Sequence, residues 1–373
     1  MDASFLRRIG TLVLKELQLL FLDPASRRLL YMPVILQLLF FPFAVTLEVK
    51  NSRLAILNQD AGGASVELIE RFSRARAFPR ILFLHGEQDL QRAVTDQEAS
   101  IALFFPADFS RRLAAGDSAI LQAVVDGRHS NSGQIALGYV QAVVDDYMED
   151  RLARSGRVPQ SRIVVRHWFN PNLDYTYFTL PSLVAIITTV GVLSVTSLSI
   201  AREREQGTFD QLLVSPLTPA MIMTGKAVPA VIVALGQATI ILAAAVLVYR
   251  VPFQGSLLLL YGSMLFYALA LAGIGLLISS ICRTQQQAML GVFCFMMPST
   301  LLSGYTSPVE NMPGWLQAAT WFNPLRHFIV IVKSVFLKDA GTAFVLEHLW
   351  PLAAIALGTS LAANAVFRRR IAA

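Results

Sequence analysis

Apolar residues along this chain fall into six long runs, most of them bounded by charged side chains. They cover residues 29–47, 176–201, 220–249, 256–281, 288–302 and 348–367. A helix needs about 20 mostly apolar residues to cross the hydrocarbon core of a membrane. The pattern therefore predicts an α-helical polytopic membrane protein with six transmembrane helices. Pro33 and Pro42 inside the first run are compatible with this, because neighbouring helices satisfy the carbonyls that proline frees. Ahead of that run Phe5, Ile9, Leu12, Val13, Leu17 and Leu20 recur at helical spacing, with Arg7, Arg8, Lys15 and Gln18 displaced from them. This predicts an amphipathic helix within 1–28, lying on the membrane surface as an anchor or as a docking element. Lys15 and Glu16 interrupt the apolar stretch that a signal peptide requires. Asp23-Pro24 closes this helix and starts the next, with Asp as N-cap and Pro at the first position.

Between the first two runs, residues 48–175 have the composition of a soluble domain. Strand-like segments at 53–58, 80–85, 99–106, 119–127 and 162–169 alternate with helical segments at 64–74, 87–97 and 131–154. Such alternation predicts one inserted α/β domain with a mixed sheet. His85, His129 and His167 are scattered through it without metal-ligand spacing, which favours solvated or structural histidines.

Composition agrees with the pattern. Of 373 residues, 54% are apolar and 15% are charged, and the mean hydropathy is +0.54. Soluble domains carry roughly 25% charged residues. The net charge of +6 does not form one long basic face, so a nucleic-acid partner is not expected. Instead Lys and Arg gather at the ends of the runs. Arg7, Arg8, Lys15, Arg27, Arg28, Arg202, Arg204, Lys226, Arg283 and the triplet Arg368-Arg369-Arg370 mark one side. Arg250, Arg326, Lys333 and Lys338 mark the other. The positive-inside rule then places both termini and the 368–373 tail in the cytoplasm, and the α/β insert outside. Segment 325–337 is too short for a seventh span and contains Lys333, so 303–346 is expected to be an external interfacial or re-entrant segment. No carboxylate, Lys or Arg is expected deep in a span, which argues against proton-coupled transport. Cys282 and Cys294 read as small packing residues.

The stretch "AREREQGTFDQLLVSPLTP" at 201–219 carries more than a stop-transfer signal needs. Gly207 breaks the incoming helix. Thr208 and Gln211 have the spacing of a capping box, in which hydroxyl and amide side chains each satisfy the other's backbone. A short helix follows, with Phe209, Leu212 and Leu213 on one side and Asp210 and Gln211 on another. Pro216 ends it, and Thr218-Pro219 starts the third span. From spacing alone the 202–219 loop is either a tidy stop-transfer turn or a rigid helix that transmits a push from a cytoplasmic partner.

The second span is rich in hydroxyls, among them Thr188, Thr189, Ser194 and Ser197. They serve helix packing or line a transport path; packing is what usually drives such interfaces. No His-Glu-x-x-His, Gly-x-Ser-x-Gly or phosphate-binding loop occurs, so no enzymatic centre is expected in this chain.

The segment "EREQGTFDQLLVSPLTPAMIMTGK" resembles the first cytoplasmic loop of ABC-2 type transporter permeases. "KELQLLFLDP" at 15–24, "RHWFNPNLD" at 166–174 and "LSGYTSPVENMPGWLQAATWFNPLRHF" at 302–328 are similar to further family segments. The resemblance covers nearly the whole chain, with the ABC-2 transmembrane domain itself at about 130–371. It implies the membrane subunit of a bacterial ATP-binding-cassette exporter of the drug-export branch, in the cell inner membrane. Glu203, Arg204, Glu205, Gly207 and Thr208 match the family motif, and 209–214 would be the coupling helix that meets the ATPase, through Phe209, Leu212 and Leu213. ATP and magnesium would then belong to a separate ATP-binding subunit, and no cofactor to this chain. A second permease copy or a paralogue completes the dimer by the same resemblance, with a periplasmic membrane-fusion adaptor and membrane lipid as further partners. An apolar or amphipathic drug-like cargo is implied; a lipid or polysaccharide cargo is the alternative, and a membrane-anchored sensor or receptor is the reading from another class.

Overall fold

The computed structural model describes residues 3–44, 53–75, 77–96, 98–99, 101–125, 130–154 and 175–372. The strand-like segment 162–169, the family-like segment 166–174, His129, His167 and the end of the first apolar run lie outside them. The chain divides into two compact units, one of Met1–Ala44 with Thr176–Ala373 and one of Val45–Tyr175.

The smaller unit is an α/β layer structure. Strands β1 (Arg53–Asn58), β2 (Arg80–Leu84), β3 (Ile101–Phe105) and β4 (Gln122–Val125) form a sheet of order β2-β1-β3-β4. β1 is parallel to β2 and β3, whereas β4 is antiparallel to β3. Helices α3 (Gly63–Arg74), α4 (Glu87–Thr95), α5 (Phe109–Ala115) and α6 (Ser130–Arg154) surround it. The two-residue period of a strand decides which residues meet which helix. Leu54, Ile56, Ile101 and Leu103 pack against Leu68, Phe72 and Tyr147 of α3 and α6. Ala55 and Ala102 point the other way, and their small size admits Ala93 of α4 close to the sheet. The end of β1 is knotted to α5, because Asp60 Oδ1 accepts the Ser110 amide and its Oδ2 accepts the Gly62 amide. Among the described residues no three His, Cys, Asp or Glu side chains are grouped to hold a metal.

The larger unit is a helical bundle. It begins with α1 (Ala3–Leu22) and α2 (Pro24–Ala44), joined at Asp23, whose carboxylate accepts the Ser26 amide and hydroxyl at 2.9 and 2.7 Å. Then follow α7 (Tyr175–Glu205), the short α8 (Phe209–Val214), α9 (Pro219–Ala243), α10 (Leu257–Ile281), α11 (Gln285–Leu301), α12 (Gly314–Ala319), α13 (Pro324–Lys338) and α14 (Thr342–Ala372). A single π-helical turn, Ala244–Val248, extends α9. Four described helices are long and apolar enough to cross a membrane: those of 176–205, 219–248, 257–281 and 342–371. α11 has 17 residues and is not among these, nor is α2, which is described only to Ala44.

α7 is the spine of the bundle, and small residues let its neighbours approach. A Cβ on Gly275 of α10 would lie 1.9 Å from Thr196 Oγ1, and one on Gly191 of α7 would lie 2.1 Å from Gln237 Oε1 of α9. In the same way Gly273 of α10 faces Thr359 of α14. Close backbone approach of this kind replaces the hydrophobic drive that lipid cannot supply. α13 is amphipathic and turns its buried face, including Leu325, Phe328, Val332 and Phe336, into the bundle core. Its Phe328 ring stacks on Tyr267 of α10 at 4.2 Å between centroids. With 15 residues this helix spans about 22 Å, too little to cross a membrane. Asn323 caps it by accepting the Leu325 amide at 3.1 Å, and Pro324 occupies its first position.

Candidate functional site

At one end of the bundle, the tetrad Arg202-Glu203-Arg204-Glu205 forms the last turn of α7, and each charge is committed to a neighbouring helix. Arg202 donates through Nη2 to Ser26 Oγ at 2.9 Å and through Nε to Gln285 Oε1 at 3.4 Å, reaching the first turns of α2 and α11. Glu203 is buried and accepts from Lys15 of α1 at 3.1 Å and from Lys226 of α9 at 3.2 Å. Arg204 Nη1 donates to the carbonyls of Ser280 and Cys282, at 2.9 and 3.1 Å. Those carbonyls lie at the C-terminus of α10, where a cation meets the negative end of the helix dipole. Glu205 Oε2 accepts the Gln285 amide at 2.8 Å and so caps the N-terminus of α11. One turn of helix thereby ties α1, α2, α9, α10 and α11 to α7.

The centre of this joint is Lys226, whose side chain is fully buried. Its Nζ lies 2.8 Å from Glu16 Oε1 of α1, 3.2 Å from Glu203 Oε1 and 3.0 Å from Ser199 Oγ. With Lys15 the cluster holds two carboxylates and two ammonium groups, so its charge is balanced. The expectation that no charge sits inside a span is corrected here. Lys226 is about 10 Å along α9 from its start, and the carboxylates of α1 and α7 make that position tolerable. Its sequence signal was faint. One lysine in an apolar run reads as a boundary marker, and Glu16 reads as part of a polar surface face.

The helix that follows is also built differently from its spacing. Gly207 has φ +70°. The Thr208 amide donates to Glu203 O at 2.9 Å and the Gly207 amide to Arg204 O at 3.2 Å, the pair of bonds that closes a helix on a left-handed residue. Thr208 therefore spends its N–H on α7, takes φ −90° and ψ −3°, and makes no side-chain cap to α8. The capping box expected at Thr208 and Gln211 does not form; the Thr208 hydroxyl donates to Glu203 O instead, at 3.3 Å. A side-chain cap does form at Thr218, whose Oγ1 accepts the Met221 amide at 3.3 Å ahead of Pro219. α8 is held from below. The Phe209 ring packs edge-on against Phe367 of α14 at 6.0 Å, with the Arg204 guanidinium 4.8 Å from its centre. Leu212 is buried among Leu12, Ile200, Ile222 and Met223, and Leu213 lies on the same helix. Asp210, Gln211 and Val214 are exposed, Val214 to 88%. Arg8 of α1 donates to Pro216 O at 2.9 Å, and between α1 and α8 lies a groove of about 710 Å³ that Lys15, Glu203, Gln206 and Gln211 help to line.

The sequence as a whole resembles known proteins. The model of the ABC-2 family transporter proteins matches residues 29–363. This chain belongs to the ABC-2 transporter family. It is 55% identical to the probable multidrug ABC transporter permease YbhR of Escherichia coli K12, over 98% of this chain and 99% of that one. The probable multidrug ABC transporter permease YbhS of the same organism is 28% identical over 89% of each chain. The inner membrane transport permease YhhJ is also 28% identical, over 98% of this chain and 97% of its own.

In this ABC-2 permease the hydroxyl-rich helix α7 faces its neighbours. Thr188 and Thr189 are buried, and their hydroxyls donate to carbonyls one turn back along α7, at Val184 and Ala185. Thr189 also bonds the Tyr267 hydroxyl of α10. Ser197 is buried, and Ser194 lines a narrow cavity beside Leu30, Gly191 and Leu198. Ser279 of α10 accepts the backbone amides of Ile200 and Ala201 at 3.0 and 3.1 Å.

Proposed function

We propose that this chain is the permease subunit of an ATP-binding-cassette exporter that moves an apolar or amphipathic compound across the bacterial inner membrane. The observation that supports this reading most is α8. Its outer residues Asp210, Gln211 and Val214 are exposed, while its root is fastened to α1, α7 and α14. An ATPase subunit seated on that face would move several spans together, because the charged turn beneath it ties five helices to α7. ATP and magnesium would be held by that subunit, and this chain would perform no chemistry.

In this reading the chain crosses the membrane six times, with both termini and α8 in the cytoplasm and the α/β unit outside. A second copy or a paralogue completes the permease, and an adaptor spanning the periplasm would meet the α/β unit. The two relatives named as probable multidrug permeases favour a drug-like cargo over lipid or polysaccharide. A membrane-bound sensor has no need of a joint that binds so many spans to one small exposed helix.

The deciding experiment is purification of the tagged full-length chain from its native membrane. An ATP-binding-cassette subunit with vanadate-sensitive ATPase activity is expected to accompany it, and a solitary polypeptide would overturn the assignment. Glu205→Ala should leave the protein in the membrane at wild-type level while export falls at least severalfold, because α11 loses its cap at the joint. Normal export by that variant would remove Glu205 from the coupling role.

A further inference from the structure

We infer that Lys333 of α13, with the rings of Phe178 and Tyr305, forms a recognition site for the anionic group of a flat, amphipathic cargo at the outer end of α7. This rests on the export reading and its orientation, in which the start of α7 faces outward. α13 is amphipathic, and Ile329, Val332 and Phe336 carry its apolar face into the bundle core. Lys333, next to Val332, is half-buried. Its Nζ lies 3.4 Å from the centre of the Phe178 ring, about one turn inside the start of α7. The Phe178 ring in turn stacks on Tyr305, at 5.9 Å between centroids and 15° between planes. A turn after α11 brings Tyr305 there, with Gly304 at φ +81° and the Tyr305 amide donating to Ser303 Oγ at 3.2 Å. The result is a wall of two nearly parallel rings with an ammonium group on one face.

Lys226 shows what this cation lacks. Both lysines are drawn away from bulk water, but Lys226 has two carboxylates within 3.2 Å. Among the described residues no carboxylate lies at ion-pair distance from Lys333, and its ammonium meets only the Phe178 ring. Burial alone acts on its acidity and pushes it down to about 8. A carboxylate close by would raise that value again, and none among the described residues does. The face of a ring attracts a cation, but it accepts no hydrogen bond as strong as those of a carboxylate. An ammonium group carries three donors, so an anionic oxygen would complete its shell. The rings beside it suit a flat apolar body, which they can meet by stacking. The chemistry that matches both parts is an organic anion that bears an aromatic ring and an apolar tail.

The test uses the purified full-length chain in mild detergent, without an ATPase, and follows the fluorescence of N-dansyl-11-aminoundecanoate against that of its methyl ester. The two probes share ring and tail and differ in one charge. The acid is expected to bind about tenfold more tightly, the effect of one charge-assisted hydrogen bond. Lys333→Gln should erase that preference, and Lys333→Arg should keep it. The preference should also fade as pH rises through about 8, where the ammonium loses its proton while the carboxylate of the probe stays ionised. Phe178→Leu should weaken both probes by removing a ring from the wall. Equal affinity of the wild type for acid and ester, or binding of neither, would overturn the inference. So would a preference that survives Lys333→Gln or the rise in pH, or a Phe178→Leu variant that binds as the wild type does. Tighter binding of dioctanoyl phosphatidylglycerol than of the acid would overturn it in favour of lipid. No ATPase takes part, so failure here leaves the copurification result standing, and a chain that purifies alone leaves the binding result standing.

Discussion

Lys226 and Asp60 show how single side chains carry this structure, each by a different balance. Lys226 is fully buried, and two carboxylates from separate helices keep its ammonium in place. Lys226→Met would strip Glu16 of its cation and leave it facing a Glu203 that keeps only Lys15. Thermal unfolding in detergent should show a loss of about 3–5 kcal/mol, the usual cost of breaking a buried ion pair from one side. The double variant Lys226→Met with Glu16→Gln should recover part of that loss, because the stranded charge is removed. At Asp60 burial pushes the carboxyl up, but hydrogen bonds from Ser110, Ser65 and Gly62 outweigh it and hold it below its ordinary value of 3.8. A carboxyl depressed by folding contributes stability above its unfolded value, and the contribution is lost as pH falls through the folded one. Melting of the full chain should therefore drop as pH falls below about 4, and Asp60→Asn should lessen the drop.

Among the elements, α8 was legible as a short helix between two long ones, and its apolar positions Phe209 and Leu212 do face inward. Its start was misread because capping was assigned by spacing. Thr208 and Gln211 stand at the right separation, but the left-handed turn at Gly207 claims the Thr208 amide first. The turn itself makes a prediction. Gly207→Ala places a Cβ at φ +70°, where it is strained whatever space surrounds it. Destabilisation of about 1 kcal/mol is expected, together with reduced stimulation of the partner ATPase, measured against wild-type protein at equal expression. In the α/β unit the short apolar runs at 53–58 and 99–106 were enough to identify β1 and β3. The helix α5 carries no comparable run and emerges only from the closure of Phe109 onto Phe105, at 5.3 Å between ring centres.

For the whole molecule the topology is best tested by access. Val214→Cys should react with a membrane-impermeant thiol reagent only from the cytoplasmic side, and Ile120→Cys only from the outside, on a background from which Cys282 and Cys294 have been removed. Both positions are exposed, so the reagent reaches each without unfolding the chain. Labelling of both from the same side would overturn the proposed orientation. What the sequence determined alone is the membrane class, the order of the long apolar helices and of strands β1 to β4, and the motif at 202–208. All of these follow from local period, from run length and from resemblance carried by neighbouring residues. Only the tertiary structure decided what the charges do. Glu16, Glu203 and Lys226 stand up to 210 residues apart, and burial is affordable for each only in the presence of the others. That condition is a property of three helices in contact, and no local pattern in the chain encodes it.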